Sequence, residues 1–348
     1  MSNTPIRKAG VVRFRRSAMT AAIAAVSFAL AACGGGGSTG GSPGGGGGGG
    51  APSGSNGGTS GTGVALPAGK PGQGKPAITM GDKNFSEAFL IGDLYQQALQ
   101  AKGYTVNMKA NVGGSEVIDR AFQSGEIDLY PEYTGEILSS VAHDQGRTES
   151  AEETWQKAKS FEETSRGATL LPQTPFEDID VVIVKPDFAK QHNLKSIGDL
   201  NNVGPGGQGV SWAAQPPDKT RYAGLVGMQQ AYGLNNVQFV GVDVGVTYSA
   251  LDTGSVNSAD AFSTDGQLTT NKYVPLDDPK HIMGFQHVAP VVKQTLLQQQ
   301  GPEFAQTLNW VDSLLTQQAI LQMNAAIQLN HVDPATVAQK FLAANGLS

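Results

Sequence analysis

The chain has 348 residues, 24 Lys/Arg against 30 Asp/Glu for a formal charge of −6, and one cysteine. That length suits one large or two ordinary domains, and the acidic balance argues against a phosphate-backbone partner, so nucleic acid is not expected. A single cysteine excludes an intrachain disulfide framework and a cysteine-cluster metal site, and the glycine excess lacks the three-residue period of collagen.

The N-terminal residues 1–32 carry Arg7, Lys8, Arg13, Arg15 and Arg16, no acid, and then an alanine-rich apolar stretch from Met19 to Ala32. A basic start, a short apolar run and small residues before a cut site predict a secretory signal. It is too short for a transmembrane helix, which needs about 20 apolar residues. General secretion is the expected route. The stretch ends Leu30-Ala31-Ala32-Cys33, which resembles the bacterial lipoprotein signal, so Cys33 is the expected lipidation site. Removing residues 1–32 would take five cations and no acid, leaving the remaining chain more acidic still.

Nearly half of the 46 glycines fall between Gly34 and Gly74. Such a segment cannot bury enough apolar surface to offset the entropy of ordering it. Residues 33–75 are therefore expected to form a flexible tether with a reach of roughly 30–40 Å. The chain from about Pro76 onward has ordinary apolar content and ample length for a core.

From there the pattern alternates. Ala77–Gly81 predicts a strand. Ser86–Lys102 predicts a helix, with Phe89, Leu90, Leu94, Tyr95, Ala98 and Leu99 at helical spacing, Ser86 as its cap and Gly103 as its stop. Strands are expected over Thr105–Ala110 and Ile127–Tyr130, with a helix opened between them by Gly113-Gly114-Ser115. Further strands are expected near Asp180–Val184, Val210–Ala213, Val237–Val242 and Ala261, with helices over Ala223–Tyr232 and Thr247–Leu251. The tail predicts helices over Glu303–Asp312, Leu315–Leu329 and Pro334–Asn345; Asp333-Pro334 is a cap followed by a first-turn proline. Alternation of this kind favours an α/β architecture with largely parallel sheets and ligands at the carboxyl ends of strands.

Two stretches sit at such ends, each a helix end, a glycine, a short strand and then a polar loop. They are Ser124-Gly-Glu-Ile-Asp-Leu-Tyr-Pro-Glu-Tyr-Thr-Gly135 and Thr253-Gly-Ser-Val-Asn-Ser-Ala-Asp-Ala-Phe-Ser-Thr-Asp-Gly266. Together with Gly81-Asp-Lys-Asn-Phe-Ser-Glu87, Tyr222-Ala-Gly-Leu225, Tyr248-Ser-Ala-Leu251, Leu276-Asp-Asp278 and Ala289-Pro-Val-Val292, they resemble periplasmic substrate-binding proteins of ABC importers. The resemblance is to the osmoprotectant branch, which takes up glycine betaine, choline, carnitine and related quaternary amines. It implies a type II periplasmic binding protein fold: two α/β lobes joined by two crossovers, with a ligand cleft between. The expected division is 76–179 with 284–348 as lobe 1 and 180–283 as lobe 2. It also implies a monomeric, non-enzymatic receptor without cofactor, working with a transmembrane permease.

A quaternary ammonium has no N–H to donate, so aromatic faces must hold it through cation–π attraction. A carboxylate at the other end suits an arginine fork. The resemblance places Tyr133 and Tyr248 at cage positions and Arg221 at the carboxylate. Lys83 and Asn84, in the first strand-to-helix loop, are placed to hydrogen-bond a ligand. Two positions depart from the family pattern: Asp178-Ile179-Asp180 puts a carboxylate where a ring is usual, and Gln286-His287 replaces a tyrosine pair. Either the two aspartates supply charge directly to a cation that is less strictly quaternary, or the importer role persists with a different solute. Phe85 and Phe285 are candidates for the missing ring area. Tyr130, Trp155 and Trp310 read as packing residues, Trp212 as core or cleft rim, and Glu132 as a cleft-edge acid or a solvated turn residue. His143, His192, His281, His287 and His331 lack metal-ligand spacing. An extracytoplasmic enzyme is the remaining alternative, though the chain has no G-x-S-x-G elbow, Walker loop or zinc helix.

Overall fold

The computed structural model describes residues 63–144, 146–243 and 245–347. The chain divides into two units, Met1–Gly58 and Thr59–Ser348, and the described residues all belong to the second. The expected signal, Cys33 and most of the tether lie outside the described residues. Among the described residues no helix is long and apolar enough to cross a membrane.

Two five-stranded sheets organise the fold. The first contains β1 (Ile78–Lys83), β2 (Val106–Gly113), β3 (Leu129–Tyr133), β4 (Ala168–Leu170) and β10 (Val288–Lys293), in the order β2-β1-β3-β10-β4. The second contains β5 (Asp180–Val184), β6 (Ser211–Ala214), β7 (Gln238–Gly241), β8 (Ser258–Phe262) and β9 (Val274–Pro275), in the order β7-β6-β8-β5-β9. The inner strands β5 and β10 are largely buried on both faces and read as apolar runs. In β5, Val182 and Val184 enter one core cluster while Ile183 enters another. In β10, Val288 and Val292 pack on one side and Ala289 and Val291 on the other. That is the period-two alternation of a strand.

The expectation of largely parallel sheets needs correction: both are mixed. β10 runs antiparallel to β3 and β4, and β5 runs antiparallel to β8 and β9. Both reversed strands follow a crossing between the sheets. Each enters its sheet beside the end at which a neighbour finishes, Val288 opposite Tyr133 and Asp180 opposite Phe262. A strand entered from that end must run against those that finish there. The crossing segments also pair with one another: the Asp178 N–H donates to the Gln286 carbonyl at 3.0 Å, and Glu177 bridges His287.

Local differences have local causes. Helix α1 (Ser86–Ala101) begins at Ser86, but Ser86 is inside it; Phe85 takes the cap position without a side-chain bond. Strand β3 extends to Tyr133, three residues beyond the expected end, because Pro131, Glu132 and Tyr133 pair with Pro290, Ala289 and Val288. A Pro-Glu-Tyr run of loop composition is thus buried sheet. The helix expected over Ala223–Tyr232 is regular only from Gly227; Ala223 and Gly224 leave helical geometry, and a side chain at Gly224 would collide with the Asp218 carbonyl. Trp212 is core, 1% exposed, with Phe239 edge-on at 5.8 Å. The end of the glycine-rich stretch is also part of the body. Leu66 packs on the first core, Gln306 Nε2 donates to the Ala65 carbonyl at 2.8 Å, and the Gly72 N–H donates to the Lys102 carbonyl at 3.0 Å. Gly72 is needed there because any side chain would overlap Tyr104.

A helix over Gln317–Gln328 braces the region where the segments cross. Its Gln317 Nε2 donates to the Ser263 carbonyl at 3.1 Å, and Gln328 Oε1 accepts from the Gly266 N–H at 2.8 Å. A Cβ on Gly266 would lie 2.5 Å from Ala325 Cα, a backbone atom that can yield only if the helix moves. Gly266→Ala is therefore expected to destabilise the protein by about 1–3 kcal/mol, the usual cost of overpacking. Urea unfolding measures this, and an unchanged midpoint would show that the brace is slack.

Candidate functional site

A cavity of about 1020 Å³ opens where strands of both sheets end. Its wall includes Lys83 from the end of β1, Tyr133 from the end of β3, Asp180 from the start of β5 and Phe262 from the end of β8. This is the strand-end position expected for α/β ligands.

The first-sheet side carries a buried cation. Lys83 is 5% exposed, and its ammonium donates to Glu132 Oε1 at 2.6 Å and to Ser115 Oγ at 3.1 Å. Glu132 is fully buried; burial pushes its carboxyl up, and the Lys83 charge pulls partly back. The same ammonium lies 4.5 Å from the Tyr133 ring centroid and 5.4 Å from that of Phe85. Glu132 is therefore neither a cleft-edge acid nor a solvated turn residue. It is the counter-ion that holds Lys83.

A chain of polar contacts runs from this side to the other sheet. Tyr133 Oη donates to Glu87 Oε1 at 2.6 Å, and Asn324 Nδ2 donates to Glu87 Oε2 at 2.6 Å and to the Thr264 carbonyl at 2.9 Å. Thr264 Oγ1 donates to Asp178 Oδ1 at 2.8 Å. Asp265 Oδ2 accepts from Tyr248 Oη at 2.9 Å and from the Phe262 N–H at 3.1 Å.

The carboxyls are held against their ionised forms. Burial pushes Glu87 and Asp178 up, and Glu87 raises Asp178 further. Asp180 is pushed up to about 7, by burial first and by Asp218 next, with Arg221 partly offsetting both. Asp265 is raised by burial, as is Asp260, where Asp180 adds repulsion. Desolvated acids facing a cavity favour an entering positive charge, since it relieves the repulsion that raises them. Among the described residues no group of three or more His, Cys, Asp or Glu side chains is arranged to hold a metal ion.

Of the residues singled out in the sequence, Lys83, Tyr133, Asp178, Asp180, Arg221 and Gln286 line this cavity. Phe85 and Phe285 line it too. Three others stand outside the wall. Asn84 is exposed beyond β1. His287 is turned into the crossing segments, Nδ1 2.9 Å from the Thr174 carbonyl and Nε2 3.6 Å from Glu177. Tyr248 lies behind Asp265, edge-on to Tyr273 at 4.9 Å, and reaches the wall only through that carboxylate. The wall also holds Glu87, Arg147, Tyr222, Phe262 and Asp265, none of which stands out as a site residue in the sequence. Glu87, Tyr222, Phe262 and Asp265 fall within the stretches Gly81–Glu87, Tyr222–Leu225 and Thr253–Gly266 that resemble the family, so their positions were signalled. Arg147 has no signal of its own; it sits in an irregular loop.

Residues 76–344 match the family model described as the substrate binding domain of ABC-type glycine betaine transport systems. The chain is 28% identical over 291 residues to the glycine betaine-binding protein YehZ of Escherichia coli K12, covering 81% of this chain and 94% of that protein. It is 23% identical over 279 residues to the carnitine transport binding protein OpuCC of Listeria monocytogenes, covering 79% and 88%. The structure of apo YehZ from Escherichia coli superposes with a TM-score of 0.67 at 28% identity, covering 78% of this chain and 99% of that one. With a two-lobed mixed α/β fold and a family match across nearly all of its described residues, the chain belongs to the substrate-binding proteins of glycine betaine-type ABC importers.

Proposed function

We propose that this protein is a lipid-anchored receptor that captures a small cationic or zwitterionic solute, such as glycine betaine, choline or carnitine, and delivers it to a permease. The anchor is Cys33, and the tether lets the receptor swivel beneath it. Residues 76–179 with 284–348 and residues 180–283 act as two lobes that close on the solute, each conformer populated according to its contacts.

The observation that carries this reading is the composition of the wall: five aromatic side chains, Phe85, Tyr133, Tyr222, Phe262 and Phe285, stand among desolvated carboxyls. Rings grip a quaternary ammonium without needing an N–H, and the acids supply charge nearby. Asp180, at a position where a ring is usual, adds a carboxylate while other residues supply ring area. Lys83 and Arg221 are the wall cations suited to a carboxylate at the solute's other end. Tyr248 serves by orienting Asp265.

Isothermal calorimetry with glycine betaine, choline and carnitine tests the reading. Binding of at least one below millimolar concentration is expected; none by any of the three would sink it. Within a binding pair, Phe262→Leu is expected to weaken affinity about fivefold, the loss of a partly exposed cation–π contact of about 1 kcal/mol at a wall ring that, among the described residues, no cation of the chain covers. Undiminished affinity would place the ammonium elsewhere.

A further inference from the structure

The chain supplies two cations of its own to aromatic faces in the cleft. Lys83 lies over Tyr133 and Phe85, and the Arg147 guanidinium carbon lies 4.3 Å from the Tyr222 ring centroid. All five side chains belong to the same cavity wall.

The two cations are held very differently. Lys83 is buried and ion-paired to a fully buried carboxylate, so moving it would strand charge in a desolvated site. Arg147 is exposed, and among the described residues it forms no ion pair within 4.0 Å. It sits in the loop before the helix Ala151–Ser165, which packs beside the first sheet. Tyr222 follows Arg221 and packs against the core of the second sheet. Its turn is pinned by the close approach of Gly224 to the Asp218 backbone. The contact therefore spans the cleft between a fixed ring and an arginine that little else restrains.

One ring face accommodates one cation at a time. A guanidinium and a solute ammonium are attracted by the same quadrupole and exclude each other by size. We propose that Arg147 is a tethered competitor for Tyr222: it covers the ring when the cleft is empty, and a solute cation takes that face by displacing it. Tyr222, rather than Tyr248, is then the tyrosine face that the second lobe offers to a cation. Arg147 sets how much of that ring's attraction the solute can use, because a site partly occupied by a competitor binds with proportionally lower apparent affinity. Selectivity follows, since a neutral solute of the same shape gains little from an uncovered quadrupole. This inference rests on the reading that a cation enters the cleft.

Calorimetry on the full chain tests it, with glycine betaine, choline and carnitine, and with 3,3-dimethylbutan-1-ol as the neutral counterpart of choline. Arg147→Gln is expected to tighten binding of the cationic solutes on the order of three- to tenfold, in the range of a partly exposed cation–π contact. Arg147→Lys should fall between, and the neutral alcohol should tighten less than the cations, since it is relieved of the size exclusion but has no charge repulsion to lose. In a Tyr222→Leu background the gain should vanish, because the two side chains act through one contact. If wild-type protein binds a cationic solute and Arg147→Gln is unchanged or weaker, the competitor idea is overturned while the solute reading stands; weaker binding would make Arg147 a closing clamp. If neither wild type nor Arg147→Gln binds any of the three, both fall together.

Discussion

Lys83→Met is expected to lower the unfolding free energy by about 3–5 kcal/mol, the usual result of removing one partner from a buried ion pair. Glu132 is fully buried, and the 2.6 Å contact with Lys83 is its compensation. Without it the carboxyl must take a proton to remain folded. Its folded pKa would then lie far above the unfolded value, so stability falls as pH rises through the gap between them. Guanidinium unfolding at pH 5 and pH 8 should show the smaller loss at pH 5. Lys83→Met with Glu132→Gln should recover most of it, because two neutral groups replace the stranded charge. Equal losses at both pH values, or no recovery in the double variant, would mean that the pair is not what holds β1 and β3 together at the cleft.

The second large effect is a pH dependence centred on Asp180. Its folded pKa of about 7 lies above the ordinary 3.8, with burial as the first cause and Asp218 as the second. Between those values the folded protein binds more protons than the unfolded chain, so ligand-free stability declines as pH rises toward 7 and levels off above it. A cationic solute reverses the preference. It stabilises the ionised carboxyl, so binding tightens from pH 5 to pH 8 and releases a proton at the acid end of that range. Scanning calorimetry with and without choline at pH 5, 6, 7 and 8 reads both trends. Asp180→Asn should flatten each of them in part. Some slope in stability must remain, since Glu162, buried away from the cleft wall, is also pushed up to about 7. A variant whose slopes match the wild type would remove Asp180 from the solute's charge balance.

Much of the architecture was legible along the chain because it depends on local periodicity. Helix α1 shows its apolar stripe and its glycine stop, and β5 shows its apolar run, whatever they pack against. Strand direction was not legible. Nothing in the apolar run of β10 marks its direction, and only the end at which the chain re-enters the sheet makes it antiparallel. The limits of β3 were hidden for a similar reason: Pro131-Glu132-Tyr133 has turn composition, and its pairing with Val288–Pro290 comes from residues more than 150 positions away.

The site divides along the same line. The linear order of residues determined which strand ends carry chemistry: Lys83 at the end of β1, Tyr133 at the end of β3, the Asp178–Asp180 pair at the first crossing and Gln286 at the second. Short segments place these residues at or beside strand ends whatever the rest of the molecule does. Only the tertiary structure decided what each side chain meets. It set Glu132 beneath Lys83, Glu87 and Asn324 behind Tyr133, Tyr248 behind Asp265, and Arg147 over Tyr222. Those partners are 17 to 237 residues apart. Their meeting depends on strand register and helix docking, and these are fixed by burial summed over the whole core rather than by any local pattern.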